Sequence, residues 1–210
     1  RIFKYKGAVC PSSGEHVRIT ERVAAKEIIT TPKGECVIDF GQNITGCVEF
    51  TIKNAKGGET VSFVHGEVLD KEGNFYNENY RTADPRVVYT AKAGEQSYKA
   101  TYTFYGSRYI KINAWCAEIC LDNFTAIVMH TEMKRTGYFE CGHDKLNKLY
   151  SNIIWGQRGN FLDIPTDCPQ RDERLGWTGD TQAFCRTAAI NFDVEKFFKK
   201  WMGDVALEQT

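Results

Sequence analysis

The sequence predicts a multi-domain β + α chain: a jelly-roll-like antiparallel β-sandwich followed by the first helices of a larger helical domain. Three observations carry that prediction. Short runs rich in β-branched and aromatic residues alternate with glycine turns as far as about Glu132. Beyond Thr131 the apolar residues recur at helical spacing instead. Within the helical half lies a charge-dense stretch, Asp163 to Asp180, whose two prolines and two glycines forbid a long regular element. On this reading residues 1–20 are a linker or the tail of a preceding domain, 21–132 the sandwich and 133–210 the start of the helical domain.

Taken in order, the strand signals are Thr51-Ile52-Lys53, Thr60 to His65, Arg86 to Thr90 and Tyr98 to Phe104. The last alternates most cleanly and would place Tyr98, Ala100, Tyr102 and Phe104 on one face. Turns are expected at Thr31-Pro32-Lys33-Gly34, Ala55 to Gly58, Lys71 to Asn74 and Ala93-Gly94. Asn77 to Arg81 is more polar than a simple hairpin needs; it reads either as a surface loop or as a segment leaning on a domain interface or substrate. A first helix is predicted over 144–156, with Leu146, Leu149, Tyr150 and Ile153 as its apolar stripe. A second should begin near Gly179 and carry Ala183, Phe184 and Ala188. A third reads from Asp193, its expected cap, to about Glu208, with Phe197, Phe198, Trp201 and Val205 on one side. These bulky faces running to the last residue, and a first residue that is Arg1 and not methionine, suggest a piece of a longer chain.

Composition removes several function classes. With 27 basic and 27 acidic residues the chain has no electrostatic reason to bind nucleic acid or an anionic membrane. No apolar run approaches the roughly 18 residues of a membrane helix, and no signal peptide opens the chain. The eight cysteines lack a CxxC pair and the four histidines are dispersed, which argues against a metal site and for free thiols in a reducing, cytoplasmic compartment. His65, between Val64 and Gly66, reads as a satisfied sheet residue, and Cys168 as structural.

The stretch from Asp163 to Asp180 holds five carboxylates, two arginines and Trp177. Carboxylates crowded beside an aromatic platform are what a sugar-cleaving site needs. One acid donates a proton, others accept hydroxyl hydrogen bonds, and a flat ring meets the sugar's apolar face. The alternative is an ion-pair network that only pins a loop.

Asp167-Cys168-Pro169-Gln170-Arg171-Asp172-Glu173-Arg174-Leu175-Gly176-Trp177-Thr178-Gly179-Asp180 resembles the signature of bacterial α-L-rhamnosidases of glycoside hydrolase family 78. Asp39 to Gly46, His65 to Asp70 and Phe104 to Tyr109 resemble the β-sandwich ahead of that family's catalytic barrel, and Thr136 to Cys141 the junction into it. The resemblance, which runs from about Val17 to Thr210, implies an (α/α)6 barrel and an inverting hydrolase of terminal α-L-rhamnosides that needs no cofactor. Its substrates would be rhamnose-containing oligosaccharides or plant glycosides. Glu173 would be the general acid, Asp167 and Asp180 would hold rhamnose hydroxyls, and Trp177 would form part of the wall around the sugar. Arg171, Asp172 and Arg174 would support them, Arg171 and Asp172 at the substrate. Neighbouring anions such as Asp167, Asp172 and Asp180 would favour a protonated Glu173, and the two arginines would oppose it. The family's catalytic base lies far downstream, so these 210 residues by themselves are expected to be inactive. A non-catalytic carbohydrate-binding or scaffold module is the alternative function.

Overall fold

The computed structural model describes residues 10–209. Its β part comprises β1 (Val17–Ala24), β2 (Glu27–Thr30), β3 (Cys36–Lys56), β4 (Thr60–Gly66), β5 (Val68–Leu69), β6 (Phe75–Tyr76), β7 (Arg86–Thr90), β8 (Ala93–Lys99), β9 (Tyr105–Ala114) and β10 (Phe124–Thr131). The helical part follows as α1 (Asp144–Asn160), the short strands β11 (Phe161–Leu162) and β12 (Ile164–Pro165), α2 (Thr178–Asn191) and α3 (Glu195–Leu207).

The two layers of the sandwich are parts of one curled antiparallel sheet of order β1-β10-β3-β9-β4-β7, with β2 and β8 also paired to β3. The 21-residue β3 is what joins them. Its first half runs between β2 and β9, its second half between β10 and β8. Where it passes from one layer to the other, Gly46 pairs with both Val128 and Tyr105. A Cβ there would stand 1.8 Å from the Ile127 carbonyl oxygen, so only glycine lets the layers meet. Between the layers lie Ile38, Phe40, Val48, Phe50 and Ile52 of β3, with Phe63, Ile110, Phe124 and Ala126. Fully burying each of these side chains larger than alanine is worth about 1.5–3 kcal/mol.

Two excursions interrupt the sheet. Asp39 pairs with Tyr109 and Ile44 with Ser107, so Phe40 to Asn43 stand opposite the single residue Arg108. Arg108 grips buried Asp39 through Nε at 2.8 Å and Nη2 at 2.7 Å, which closes the bulge. On the same strand Lys99 pairs with Glu49 and Tyr105 with Gly46, leaving 100–104 opposite Cys47 and Val48 alone. That surplus corrects the strand expected over Tyr98 to Phe104. The strand ends at Lys99, and Tyr102 projects fully exposed at φ 60°.

The helices also depart from the expected faces. α1 buries Ile154 and Gln157 and exposes Leu146 and Leu149. Val194, not Asp193, occupies the cap position of α3, while Asp193 Oδ1 accepts from the Glu195 amide at 3.4 Å. Phe161, Ala188, Phe192 and Phe197 form the helical core, with Phe161 and Phe197 stacked 4.5 Å apart. Arg158 ties α1 to the sandwich, donating to His130 Nε2 at 3.0 Å and Glu21 Oε1 at 2.7 Å. His130 Nδ1 in turn lies 2.8 Å from the Thr131 carbonyl, so Nε2 accepts from Arg158.

Candidate active site

The β11–β12 hairpin turns the chain out of α1 and launches the acidic loop. Its turn is held by the Asp163 amide on Thr131 Oγ1 at 2.8 Å and by Thr166, whose amide and hydroxyl both donate to the Asn160 carbonyl. The loop then closes on itself. The Asp167 amide donates to the Leu175 carbonyl at 3.1 Å, and Asp167 Oδ1 accepts the Leu175 amide at 3.0 Å. Cys168 is buried beneath this closure and takes a hydrogen bond from Arg171 Nε at 3.3 Å. Burial pushes the Asp167 carboxyl up, but hydrogen bonds from the Cys168 thiol, the Leu175 amide and Arg171 outweigh it and hold the group below the usual carboxylate range.

At the tip, Glu173 is held at both oxygens. Trp177 Nε1 donates to Oε1 at 2.8 Å, and Arg171 Nη2 donates to Oε2 at 3.0 Å. The same Arg171 nitrogen lies 3.4 Å from Asp167 Oδ2, so one guanidinium bridges the two carboxylates. A second guanidinium, that of Arg81 in the sandwich, stands 3.8 Å from Glu173 Oε2. Two cations therefore face Glu173: Arg171, expected to oppose its protonation, and Arg81 in the place expected of Arg174.

The backbone here is strained. Glu173 has φ 114° and Arg174 φ 54°, and Asp163 and Arg81 are also positive. Such conformations cost about 1–3 kcal/mol each and persist where the surroundings impose them. The sandwich packs against this segment. Arg174 lies over the Phe104 ring at 4.4 Å. Pro169 and Gln170 press on Gly106, where a Cβ would come within 2.9 Å of both. Buried Tyr80 donates from its hydroxyl to the Gly106 carbonyl at 2.5 Å, and so anchors the neighbouring Arg81.

Two cavities flank the loop. One, of about 360 Å³, lies among the helices and is lined by Gln157, Phe161, Asp167, Asp180, Phe184 and Phe198, among others. The other, of about 340 Å³, separates Gln170 to Arg174 from Asp84, Thr103 and Tyr105 of the sandwich.

Comparison with known proteins identifies the family. The model of the bacterial α-L-rhamnosidase concanavalin-like domain matches residues 29–130, and that of the bacterial α-L-rhamnosidase 6 hairpin glycosidase domain matches 134–210. The chain belongs to the bacterial α-L-rhamnosidase family.

An α-L-rhamnosidase of Streptomyces avermitilis is 42% identical over 195 residues, covering 92% of this chain and 19% of its own length. One from Formosa agariphila is 39% identical over 199 residues, covering 92% of this chain and 21% of its own length. The solved Streptomyces avermitilis α-L-rhamnosidase complexed with L-rhamnose superposes with a TM-score of 0.90 at 41% identity, over 95% of this chain and 19% of that one. The native Aspergillus terreus enzyme gives 0.88 at 41%, over 92% and 22%. The chain thus spans about a fifth of the length of these α-L-rhamnosidases.

Of the residues singled out in the sequence, the structure joins Asp167, Arg171, Glu173 and Trp177 in one hydrogen-bonded network. Asp172 lines the sandwich-side cavity, and its buried Oδ1 has no partner among the described residues. Asp180, in the first turn of α2, shares the helical cavity with Asp167, and among the described residues no side-chain hydrogen bond ties it to Glu173. Sequence reasoning did not assign a role to Arg81. Its segment does lean on the domain interface, one of the two readings of Asn77 to Arg81, and its unusual polarity was the available signal.

Proposed function

We propose that this chain carries the acid loop of an inverting α-L-rhamnosidase, with Glu173 as general acid and the base on a carboxylate outside these residues. One observation supports it most: Glu173 is presented at the loop tip on a strained backbone, with each oxygen separately gripped. Trp177 Nε1 and Arg171 Nη2 each donate to one Glu173 oxygen and fix the orientation of the carboxyl group. As its proton passes to the glycosidic oxygen, negative charge develops on the carboxylate, where Arg171 is already placed to stabilise it. Asp167, held ionised by the Leu175 amide, Arg171 and the Cys168 thiol and lining the helical cavity, would accept from a rhamnose hydroxyl. Asp180, facing the same cavity, would serve another hydroxyl. The L-rhamnose bound by the Streptomyces relative supports rhamnosides as the substrate class.

The test uses the whole enzyme. Glu173→Gln is expected to lower kcat/KM by about 10²–10⁴-fold on an alkyl α-L-rhamnoside and much less on a nitrophenyl one, whose leaving group needs no proton. Equal loss on both would overturn the acid role. NMR should find the β anomer as first product, and the α anomer would overturn inversion.

A further inference from the structure

We propose that the crevice between the sandwich and the acid loop is the leaving-group subsite, and that Asp84, Thr103 and Tyr105 are its sandwich-side wall. The inference rests on Glu173 being the general acid. A general acid delivers its proton to the oxygen that joins the sugar to its leaving group, so that group occupies the space its carboxylate opens onto. The Glu173 carboxylate is turned toward the sandwich: Arg81 lies 3.8 Å from Oε2, and the residue lines the crevice of about 340 Å³. Asp167 and Asp180, the carboxylates read as holding rhamnose, line the other cavity. The loop therefore divides a glycone side from a leaving-group side.

The crevice wall suits a polyhydroxylated leaving group, a second sugar. Asp84 is an exposed acceptor already oriented by Arg86, which donates to it through Nε at 2.8 Å and Nη2 at 2.7 Å. Thr103 offers a hydroxyl, and Tyr105 an aromatic body fixed by stacking on buried His65 at 4.0 Å. On the opposite wall the buried Asp172 Oδ1 lacks a partner among the described residues. Strain in the 100–104 excursion, with Tyr102 at φ 60°, holds Thr103 at this edge instead of in the sheet.

The test compares two poor leaving groups, methanol and glucose, in the whole enzyme. Both need the acid, so their ratio reads the subsite and not protonation. Asp84→Asn with Thr103→Val is expected to lower kcat/KM for the rhamnosyl-glucose disaccharide roughly 10-fold more than for methyl α-L-rhamnoside, mostly through KM. Ala83→Trp, which fills the crevice from a surface turn, should shift the ratio the same way by bulk alone and covers the case in which the polar double variant misfolds. An unchanged ratio in the folded variants, with Glu173→Gln inactive, would overturn the subsite and leave the acid standing. Retained activity in Glu173→Gln would overturn the reading on which both depend.

Discussion

The sandwich and the helical part bury cores of unequal size. The sandwich closes on aliphatic and aromatic side chains drawn from both of its layers. The helices bury a smaller cluster together with the amide pair Gln157 and Asn191, 3.2 Å apart, and leave Leu146, Leu149, Ile190, Met202 and Leu207 exposed. The acidic loop belongs by sequence to the helical part, yet its strained tip is held by side chains of the sandwich, Arg81 and Phe104, as well as by its own Arg171 and Trp177. The comparison teaches that the β half is less an appendage than the rigid frame against which the acidic loop can be held in a costly conformation.

Breaking the frame should have the largest effect. Gly46→Ala forces a Cβ into the Ile127 carbonyl, a backbone atom that cannot rotate away. We expect a loss on the order of 3 kcal/mol or more, read as a lowered urea midpoint, with the β signal lost first. A wild-type midpoint would mean that the layers can separate at this point and that the sheet is not the rigid partner.

A second device in the frame responds to pH. His65 is fully buried, its Nδ1 bonded to the Pro85 carbonyl at 2.7 Å and its Nε2 without a partner among the described residues. Burial disfavours the imidazolium and pulls its pKa down to about 4. The group is thus lowered from its ordinary value near 6.5. Its stabilising contribution is complete above that value and is lost as pH falls toward 4, about 3 kcal/mol in all. The His65→Phe variant, measured by urea unfolding across that window, should lose stability with a shallower slope than wild type. Identical slopes would show that His65 is not the buried neutral group described.

The parts legible in the sequence are those written in local pattern. Thr60 to His65 and Arg86 to Thr90 fall within β4 and β7, and the helical spacing after Asp144 marks α1 to α3. The irregular loop follows from its prolines and glycines. What local pattern could not show are the two excursions, because a bulge is set by the register of a distant partner: Arg108 for 40–43, and Cys47 and Val48 for 100–104. The alternation from Tyr98 to Phe104 reads as a strand because period alone carries no pairing information. Leu146 and Leu149 likewise have helical spacing without saying which side is covered. At the site, the four networked residues lie within eleven positions of one another, whereas Arg81 reaches Glu173 across the fold.

The smallest predicted effect is the sharpest probe of the connection between the two parts. Tyr80→Phe removes one hydroxyl, and with it the hydrogen bond to the Gly106 carbonyl beneath Pro169 and Gln170. Stability should fall by about 1–2 kcal/mol, the cost of a lost buried hydrogen bond. If the sandwich merely abutted the loop, the change would end there. Because Tyr80 precedes Arg81 and sits under the residues leading to Glu173, amide exchange should also quicken at Gln170 to Leu175 while the β3 and β10 amides keep their protection. Faster exchange confined to the sandwich would mean that the loop holds its strain without help, and that the frame is only a neighbour.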